Sequence, residues 1–321
     1  MDNSGYKSIV LFFSYKVSLK IWNNLGMITR ESKIWEIFGK SFRKIMFITY
    51  GNNEEVKLRN RFFPGVHLFN NKWYLHPIIY SILLPILIRK ELISADIYRV
   101  NQISGAFPAI ICKLLYGKKL IIRCGFQLSQ FLKEQKENYI KRIMALILEA
   151  AAYSQADQII VTSSKDKEYI IKRYMTDKTK IEVIPNGIDT DLFKVLPEIK
   201  KISGRILFVG RLIKQKNLFL LLESLKNIKD VNLFIIGNGH LKEALLLKAK
   251  EYKINITFED RKGNDELPVE YNKAEIFILP SLFEGNPKVI LEAMACGTAT
   301  IGTDVTGIRE IIRDKDNGLL S

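Results

Sequence analysis

The chain has 321 residues, of which 47% are hydrophobic, so it is long enough for two globular domains and too apolar for a disordered protein. Its net charge of +15 favours an anionic partner, such as a nucleotide or an anionic lipid surface. The chain has no recognised nucleic-acid module or aromatic-basic platform, so nucleic acid is disfavoured as a partner. Cys112, Cys124 and Cys296 form neither a CxxC pair nor a zinc spacing, which is typical of a reducing cytoplasm.

The start of the chain, MDNSGYKSIVLFFSYK, contains a short apolar run without a small-residue cleavage site. It predicts a first strand, Ile9–Phe13, and not a signal peptide. The longest apolar stretch, Ile78–Ile88, is far shorter than the roughly 20 residues that a membrane-spanning helix needs. The sequence therefore predicts no membrane-spanning segment.

Short apolar runs rich in Ile, Val and Phe alternate with segments of helical period. Apolar strands separated by helices predict an α/β protein with parallel sheets that are covered on both faces. The predicted helices include Phe131–Ala152, Leu218–Leu225 and Lys242–Lys250. After Ile9–Phe13, the predicted strands are Ile45–Thr49, Ile97–Val100, Leu120–Ile122, Gln158–Val161, Ile181–Ile184, Ile206–Val209, Leu233–Ile236, Ile254–Phe258, Ile276–Leu279 and Thr300–Ile301.

The strands fall into two sets, separated by Pro185–Arg205, which has turn-forming residues at its start and a charged tail that contains proline. We therefore predict a first domain at 1–190, a linker at 191–204 and a second domain at 205–321. The second set stops at NGLLS, where a new strand begins, so we expect its domain to be incomplete.

The segment EGNPKVILEAMACG, Glu284–Gly297, follows a predicted strand and joins a turn to a helix. Ligands bind outside the carboxyl ends of strands in open α/β sheets, and the first turn of a helix suits an anion. Pro287 is expected as the first helical residue. Glu284 and Glu292 could both face the same crevice and accept hydrogen bonds from the hydroxyls of a phosphorylated ligand. Spacing alone leaves open whether they form a site or are surface charges.

Two further strand ends carry polar or small residues. The segment FVGRLIKQKN places Gly210, Arg211 and Lys216 between a strand and a helix, where two cations could clamp a diphosphate. Taken in isolation, two basic residues in a loop are more often bystanders. The segment IIGNGH resembles the start of a glycine-rich phosphate turn but lacks its third glycine, and His240 is expected at a helix start.

Together these segments resemble the family-4 retaining glycosyltransferases of the GT-B fold, also termed glycosyl transferases group 1. The resemblance rests on five stretches in order across the second half: IEVIPNGIDTDLF, ILFVGRLIKQKN, LFIIGNGHLKEAL, AEIFILPSLFEGNPKVILEAMACGTATIGTDVTGIRE and DNGLL. It implies two Rossmann-like domains whose parallel sheets face each other across a cleft. The first domain would bind the acceptor and the second a nucleotide sugar.

The resemblance implies roles for individual residues. Glu284 would contact the transferred sugar, Glu292 would hold the ribose, and Arg211 and Lys216 would stabilise the diphosphate leaving group. No metal or cofactor is implied, and the donor would be UDP- or GDP-linked. The remaining residues implied in donor binding are Gly210, Gly285, Asn286, Pro287 and Lys288, the nucleobase segment with Gly263, Asn264 and Leu267, and Ser18 and Gly26 in the first domain.

The first half departs from the family pattern at two places. Relatives often carry a GG loop after the first strand, where this chain has Gly26 alone and would offer the backbone amides of Ser18, Leu19 and Lys20. Relatives also often have a histidine at a strand end where this chain has Arg123, Cys124 and Gly125. We expect Cys124 to be a small packed residue and not a nucleophile.

The resemblance implies a cytoplasmic, hexosyltransferase-type enzyme that moves a sugar onto a glycan or lipid-linked acceptor for a cell-surface polysaccharide or glycoconjugate. The charge and the apolar, basic segments Trp73–Leu92 and Phe131–Leu148 suggest peripheral contact with the anionic inner face of the cell membrane. The missing histidine and the expected absence of the family's C-terminal helices favour the alternative, a nucleotide-sugar-binding or assembly protein with impaired catalysis.

Overall fold

The computed structural model describes residues 8–321, and the first seven residues of the opening stretch lie outside the described part. The chain divides into two compact units, of which the first ends at Ile184 and the second is Pro185–Ser321. Each unit contains one parallel sheet with helices on both faces. The α/β class and the two Rossmann-like sheets predicted from the sequence are confirmed.

The sheet of the first unit has seven strands within the described residues, in the order β3-β2-β1-β4-β5-β6-β7. The order reverses between β1 and β4, so the loops that follow these two strands diverge at that point. The strands are β1 (Ser8–Phe12), β2 (Lys44–Ile48), β3 (Val66–Phe69), β4 (Ile97–Val100), β5 (Lys119–Cys124), β6 (Gln158–Val161) and β7 (Ile181–Val183).

Two apolar cores lie on opposite faces of this sheet. Phe13, Trp22, Trp35 and Phe47 belong to the core under α1, α2 and α3, and a larger core lies under α4, α6 and α8. The helices are α1 (Leu19–Asn24), α2 (Ile28–Ser41), α3 (Glu55–Phe62), α4 (Pro77–Leu87), α5 (Arg89–Ser94), α6 (Ala106–Tyr116), α7 (Leu128–Glu134), α8 (Tyr139–Gln155) and α9 (Ser164–Tyr174), with short 3₁₀ turns at Ile103–Gly105 and Lys178–Lys180.

The sheet of the second unit has six strands in the order β10-β9-β8-β11-β12-β13, with the reversal between β8 and β11. The strands are β8 (Arg205–Val209), β9 (Asn232–Ile236), β10 (Asn255–Glu259), β11 (Ile276–Leu279), β12 (Ala299–Gly302) and β13 (Leu319–Leu320). The helices are α10 (Leu218–Leu225), α11 (Lys242–Glu251), α12 (Leu267–Lys273), α13 (Lys288–Ala295) and α14 (Thr306–Arg309), with a 3₁₀ turn at Lys214–Lys216.

One strand was not predicted from the sequence. The strand Val66–Phe69 is an edge strand in which only Val66 is buried, so its sequence, VHLF, lacks the continuous apolar run of the other strands. The new strand expected at NGLLS is present as Leu319–Leu320, which pairs with β12.

The single helix predicted over Phe131–Ala152 is wrong, because the structure has two helices, α7 and α8, in this region. Lys136 has a left-handed backbone, with φ of 54°, which ends α7. Asn138 then starts α8, since its side chain accepts a hydrogen bond of 2.7 Å from the amide of Ile140.

The segment predicted as a linker, 191–204, makes several contacts within the second unit. Phe193 is buried, and the amide of Leu196 donates to Asn272 Oδ1 at 2.8 Å. Asn272 Nδ2 also donates to the carbonyl of Lys194 at 2.9 Å. The chain before β8 is therefore held against α12.

A buried charge cluster fixes α12 to the start of β8. Arg205 donates to Glu270 Oε2 at 2.5 Å, and both side chains are less than one tenth exposed. Lys262 Nζ lies 2.7 Å from the second oxygen of Glu270, and the Arg205 guanidinium stacks 3.8 Å from the centre of the Phe234 ring. The cluster thereby holds the loop between β10 and α12 in place.

Replacement of Glu270 by glutamine should destabilise the second unit by about 3 kcal/mol at pH 7, because it leaves Arg205 buried without its counter-charge. Burial alone would raise the pKa of Glu270, but Lys262, Arg205 and Lys273 hold it below its ordinary value of 4.5. The stabilisation from Glu270 is therefore present above that value and is lost as the pH falls through the lowered pKa. Denaturant unfolding at several pH values should show that the difference in unfolding free energy between the variant and wild type becomes smaller in acid.

The exposed Glu243→Gln variant, in α11 of the same unit, is the control and should unfold like wild type at each pH. A Glu270→Gln deficit that is equally large at pH 3 and pH 7 would contradict this account.

Candidate functional site

Two loops leave the carboxyl ends of β8 and β11, the neighbouring strands at which the order of the second sheet reverses. The first loop runs from Gly210 to Asn217 and the second from Pro280 to Pro287. In open parallel sheets this is the position at which ligands bind. The sequence places polar residues in both loops.

The loops are joined by a largely buried ion pair between Lys216 Nζ and Glu284 Oε1. Lys216 is 12% exposed and Glu284 is 10% exposed at the side chain, so both charges are largely withdrawn from solvent. Ser281 Oγ donates to the same Glu284 oxygen at 2.6 Å. The structure thus brings together two residues predicted from the sequence and adds Ser281, which the sequence reasoning missed.

Gln215 ties the backbones of the two loops together. Its side-chain amide nitrogen donates to the backbone carbonyl of Phe283 at 2.9 Å, and its backbone carbonyl accepts from the amide of Leu282 at 2.9 Å. The Oε1 atom of Gln215 is buried and accepts no hydrogen bond within residues 8–321. Gln215 was not predicted, because a glutamine in a loop carries no distinctive sequence signal.

Two glycines after β9 let the loop after β8 approach very closely. A Cβ on Gly237 would lie 1.9 Å from the carbonyl oxygen of Gly210, and one on Gly239 would lie 2.3 Å from that of Leu212. The amide of Leu212 donates to the carbonyl of Asn238 at 3.0 Å. The IIGNGH segment is therefore a support for the loop that carries Lys216.

The loop that carries Glu284 rests on the residues that follow β12. A Cβ on Gly307 would lie 2.2 Å from the carbonyl oxygen of Gly285 and 2.3 Å from that of Glu284. Thr303 Oγ1 donates to the carbonyl of Ser281 at 2.5 Å. The TGIRE stretch contains Gly307, but the sequence alone gave that glycine no role.

The turn between Glu284 and α13 is held by Asn186. The amide of Asn186 donates to Asn286 Oδ1 at 2.9 Å, and its side chain donates to the Asn286 carbonyl at 2.7 Å. Pro287 has an extended backbone and precedes the helix, which begins at Lys288, so the expectation that Pro287 is the first helical residue is wrong by one position. Lys288, predicted in the site, is half-buried.

Glu292 lies in the middle of α13 and is 4% exposed. Its Oε2 accepts a hydrogen bond of 2.9 Å from the hydroxyl of Tyr271 in α12. Burial and the nearby carboxylate of Glu292 raise the pKa of Tyr271 well above its ordinary value, so this phenol keeps its proton and remains a donor. Tyr271 thus orients the second glutamate of the motif.

The remaining predicted donor residues of the second unit lie on exposed or half-buried loops. Arg211 is exposed and makes no side-chain hydrogen bond or ion pair to any described residue, so the structure does not bring it into the Lys216–Glu284 pair. Gly263 and Asn264 lie in the loop after β10, where the amide of Gly263 donates to Glu266 Oε2 at 2.6 Å. Leu267 begins α12.

In the first unit, Ser18 and Gly26 have structural tasks. Ser18 caps α1, since its hydroxyl accepts from the amide of Ile21 at 3.2 Å. The amide of Leu19 donates to the buried carboxylate of Glu55, which argues against the predicted donor contact through that amide. Gly26 ends α1 with φ of 65°, and the amides of Gly26 and Met27 close the helix in a Schellman motif.

Cys124, at the strand end where relatives often have histidine, is fully buried, which confirms the expectation of a packed residue. Burial raises the pKa of its thiol to about 12, so it holds its proton at neutral pH. The sulfur lies 3.5 Å from the hydroxyl of Tyr153 and 3.8 Å from Gln127 Nε2.

Comparisons with known proteins match both units. A family model described as Glycosyl transferases group 1 covers residues 192–321, and one described as Glycosyltransferase Family 4 covers residues 44–192. The chain belongs to the family-4 glycosyltransferases. This assignment agrees with the resemblance stated from the motifs of the second half.

Two relatives of this glycosyltransferase act, by their names, on diphospho-undecaprenol acceptors. One is the N-acetylgalactosamine-N,N'-diacetylbacillosaminyl-diphospho-undecaprenol 4-alpha-N-acetylgalactosaminyltransferase of Campylobacter jejuni, 32% identical over 64% of this chain and 57% of that protein. The other is the UDP-Gal:alpha-D-GlcNAc-diphosphoundecaprenol alpha-1,3-galactosyltransferase of Escherichia coli, 31% identical over 54% of this chain and 49% of that protein. The chain thus matches about half the length of these curated relatives.

Solved structures that superpose on this chain have the GT-B fold. Anabaena HepE in complex with UDP and glucose superposes with a TM-score of 0.74 at 17% identity, covering 98% of this chain and 85% of that one. Sucrose-phosphate synthase from Thermosynechococcus elongatus gives the same TM-score at 19% identity, covering 98% of this chain and 85% of that one.

Residues 8–321 contain neither a candidate membrane-spanning helix nor a candidate metal centre. None of the helices there combines the length and apolar character needed to cross a bilayer. No group of three or more His, Cys, Asp or Glu side chains in the same residues is arranged to hold a metal ion.

Gly307→Ala should destabilise the second unit by about 1–3 kcal/mol, because the new methyl group would collide with the backbone that carries Glu284. Denaturant unfolding measures the loss. Gly187→Ala is the matched control, since a Cβ at Gly187 meets nothing within 4 Å. Equal stability of the two variants would show that the loop does not depend on this close approach.

Proposed function

We propose that this glycosyltransferase transfers a sugar, with retention of anomeric configuration, from a nucleoside diphosphate sugar to a glycan or lipid-linked acceptor. The reaction would serve the biosynthesis of a cell-surface polysaccharide or glycoconjugate. The observation that carries the proposal is the largely buried pair of Lys216 and Glu284, with Ser281, at the reversal point of the second sheet. The Anabaena neighbour was crystallised with UDP and glucose, which supports a sugar nucleotide as the donor.

The pair can act on both parts of a donor. Glu284 Oε1 accepts from Lys216 and Ser281, whereas Oε2 has no partner within residues 8–321 and can accept from a sugar hydroxyl. The ammonium group of Lys216 has three donors, so it can hold Glu284 and still donate to a phosphate oxygen. There it would offset the negative charge that develops on the leaving diphosphate.

Other groups near these loops suit the rest of the donor. The first turn of α13, at Lys288 and Val289, has backbone amides that point out of the helix N-terminus and favour an anion. The buried, unpartnered Gln215 Oε1 would be satisfied by a hydroxyl. We assign Glu292 to the ribose and the Gly263–Leu267 loop to the nucleobase, UDP or GDP being the candidates.

We further propose that transfer is independent of a metal ion. The charge that a divalent cation would offset on a diphosphate is supplied here by Lys216, by the N-terminus of α13 and by the exposed Arg211. Addition of a chelator should leave the rate unchanged, and a rate restored only by a divalent ion would contradict this part of the proposal.

The second candidate function is a nucleotide-sugar-binding protein with impaired catalysis. It is favoured by Cys124, whose buried and protonated thiol cannot act as the polar group that relatives often carry at that strand end. Retaining transfer on the front face of the sugar needs no protein nucleophile, so the leading proposal does not depend on Cys124. Donor binding without transfer or donor hydrolysis would favour this second function.

Glu284→Gln and Lys216→Ala should each lower the rate of transfer by about 10²–10³-fold, because each removes charge stabilisation from the reacting groups. Transfer is measured with labelled UDP- and GDP-sugars on a lipid-linked diphosphate acceptor. Lys214→Ala, an exposed lysine in the same 3₁₀ turn, is the control and should keep wild-type activity. Full activity of both site variants would overturn the proposal.

The acceptor side of the proposal includes a membrane contact. Helices α4, α6 and α8 lie on the same face of the first sheet, and Tyr116 of α6 donates to the carbonyl of Pro85 in α4 at 2.8 Å. Their outer surfaces expose many large apolar side chains. These are Ile78, Ile79, Ile82 and Ile86 in α4, Phe107, Leu114 and Leu115 in α6, and Ile140, Ile143, Met144 and Ile147 in α8.

We infer that this apolar surface binds the anionic inner face of the cell membrane. An exposed apolar area of this extent is unusual for a protein without a partner surface. Basic residues flank it, among them Arg89, Lys90, Lys141 and Arg142. Apolar burial and attraction to anionic headgroups would then act together. A cytoplasmic protein bound there would meet a lipid-linked acceptor.

The double variant Ile86→Asp and Ile147→Asp should reduce co-sedimentation with phosphatidylglycerol vesicles by about tenfold or more. The reason is that two apolar side chains that would be buried in the membrane become charged. Ile37→Asp is the matched control, since Ile37 is 64% exposed on α2, over the opposite face of the sheet. Binding that is unaffected by the double variant, by salt and by anionic lipid would contradict the membrane contact.

A further inference from the structure

Aromatic side chains follow the carboxyl ends of three neighbouring strands of the first sheet. Tyr15 follows β1, Tyr50 follows β2 and Trp73 follows β3, and Tyr80 lies near the start of α4. The three strands are parallel and lie in the order β3-β2-β1, so the loops after them leave one edge of the sheet side by side. We refer to Tyr15, Tyr50, Tyr80 and Trp73 as the aromatic row.

The rings of the aromatic row contact one another in turn. The ring centres of Tyr15 and Tyr50 lie 5.6 Å apart, edge to face, and those of Tyr50 and Tyr80 lie 5.6 Å apart in the same arrangement. The Trp73 ring centre lies 6.4 Å from that of Tyr80. Tyr80 is buried and Tyr50 is half-buried. Tyr15 is 36% exposed and Trp73 is 38% exposed, so the two ends of the row are open to a ligand.

Hydrogen bonds hold the loops of the aromatic row in place. Asn71 Nδ2 donates to the carbonyl of Leu75 at 2.7 Å, and Asn71 Oδ1 accepts from the amide of Leu75 at 3.2 Å. These two bonds close the turn that carries Trp73. The hydroxyl of Tyr50 lies 2.7 Å from Ser81 Oγ in α4. The rings are therefore preorganised, which lowers the entropy cost of binding a ligand.

Two asparagines join the loops that carry Tyr50 and Trp73. Asn70 Nδ2 donates to Asn53 Oδ1 at 3.4 Å. Asn70 is only 8% exposed, yet its Oδ1 accepts no hydrogen bond from any residue within 8–321. Asn53 is exposed, and its Nδ2 donates to no residue of the same range. Because largely buried polar groups are normally paired, this carbonyl and this amide group are suited to the hydroxyls of a ligand.

A sugar ring matches this combination of groups. Its C–H groups pack against the electron-rich face of an aromatic ring, and its hydroxyls can both donate to and accept from amides. A lipid acyl chain could cover the rings but has no donor for the open carbonyl of Asn70. Lys16 Nζ lies 5.4 Å from the Tyr15 ring centre and Lys72 Nζ lies 5.0 Å from that of Trp73, so both ends of the row also attract anionic groups.

We propose that the aromatic row and Asn70 bind the saccharide of the acceptor substrate. The proposal rests on the proposed function in taking this ligand to be the acceptor. Tyr15 and Trp73 would contact the sugar, and Tyr50 and Tyr80 would position them. The saccharide would come from a lipid-linked diphosphate sugar or from a soluble glycan, both of which present the same ring chemistry.

The first test measures binding to the full chain by calorimetry, without a donor. The probes are polyprenyl diphosphates of glucose, galactose, N-acetylglucosamine and N-acetylgalactosamine in detergent, and soluble maltotriose. Tyr15→Ala and Trp73→Ala should each weaken the binding of the best probe by about tenfold or more, since each removes an aromatic face. Phe219→Ala is the matched control, because Phe219 is 40% exposed on α10 of the second unit, and it should bind like wild type.

Conservative variants separate stacking on a sugar from simple apolar packing. Trp73→Phe keeps an aromatic face and should retain most of the affinity, whereas Trp73→Leu should lose it. Asn53→Ala, at an exposed position, should weaken binding several-fold through the loss of its amide donor. Equal affinity of Trp73→Phe and Trp73→Leu would overturn the proposal, as would the failure of wild type to bind any of the probes.

A second set of measurements identifies the source of the saccharide and tests a membrane contact of the row instead. Phosphatidylglycerol vesicles that carry a polyprenyl diphosphate sugar are compared with the same vesicles without it and with maltotriose. A loss in Trp73→Ala confined to the sugar-bearing vesicles assigns the row to a lipid-linked saccharide, and a loss confined to maltotriose assigns it to a soluble glycan. An equal loss on plain vesicles would show that the row contacts lipid and would overturn the proposal.

The two proposals can fail separately. Saccharide binding is measured without a donor, so binding that depends on Tyr15 and Trp73 but is followed by no transfer would count against the glycosyl-transfer proposal alone. Transfer with an unchanged KM for the acceptor in both Tyr15→Ala and Trp73→Ala would count against this saccharide site alone.

Discussion

The ion pair between Lys216 and Glu284 is the contact on which the proposed donor site depends. It joins two loops that diverge from β8 and β11, and both of its charges are largely removed from solvent. A buried ion pair is weak grounds for stability, since desolvation offsets most of its attraction. The role that we propose for it is positional, because it places a cation and a carboxylate where the two parts of a sugar nucleotide would bind. Gly237 and Gly307 support it by letting neighbouring backbones approach within distances that a side chain would prevent.

The first unit also buries a charged group, but that group has a structural role. The buried carboxylate of Glu55 accepts hydrogen bonds from Thr49 and from the start of α1, so both of its oxygens have partners within the fold. The apolar surface of α4, α6 and α8 would keep the same unit near a lipid-linked acceptor. The exposed apolar side chains therefore support one proposed task of this unit, the capture of the acceptor.

Much of the fold could be predicted from the sequence because its buried strands are continuous apolar runs. The edge strand Val66–Phe69 escaped prediction since only one of its residues is buried, and the break before α8 escaped it because a left-handed Lys136 has no clear sequence signal. In the site, Glu284 and Lys216 were found through the resemblance of five ordered motifs to a known family, since spacing alone left their role open. Gln215 and Gly307 were not, because their roles arise from contacts between loops far apart in sequence. Ser281 was also missed, because a serine three residues before Glu284 carries no distinctive sequence signal.

The central claim is that Lys216 and Glu284 form a site for a nucleoside diphosphate sugar. It is tested most directly by the unfolding of the full chain with and without UDP, GDP and their sugars. A ligand at about 100 times its Kd stabilises the folded state by about 2.7 kcal/mol. We predict that one nucleotide series raises the unfolding temperature of wild type and of Lys214→Ala but not of Lys216→Ala. An equal rise in wild type and Lys216→Ala would contradict the claim.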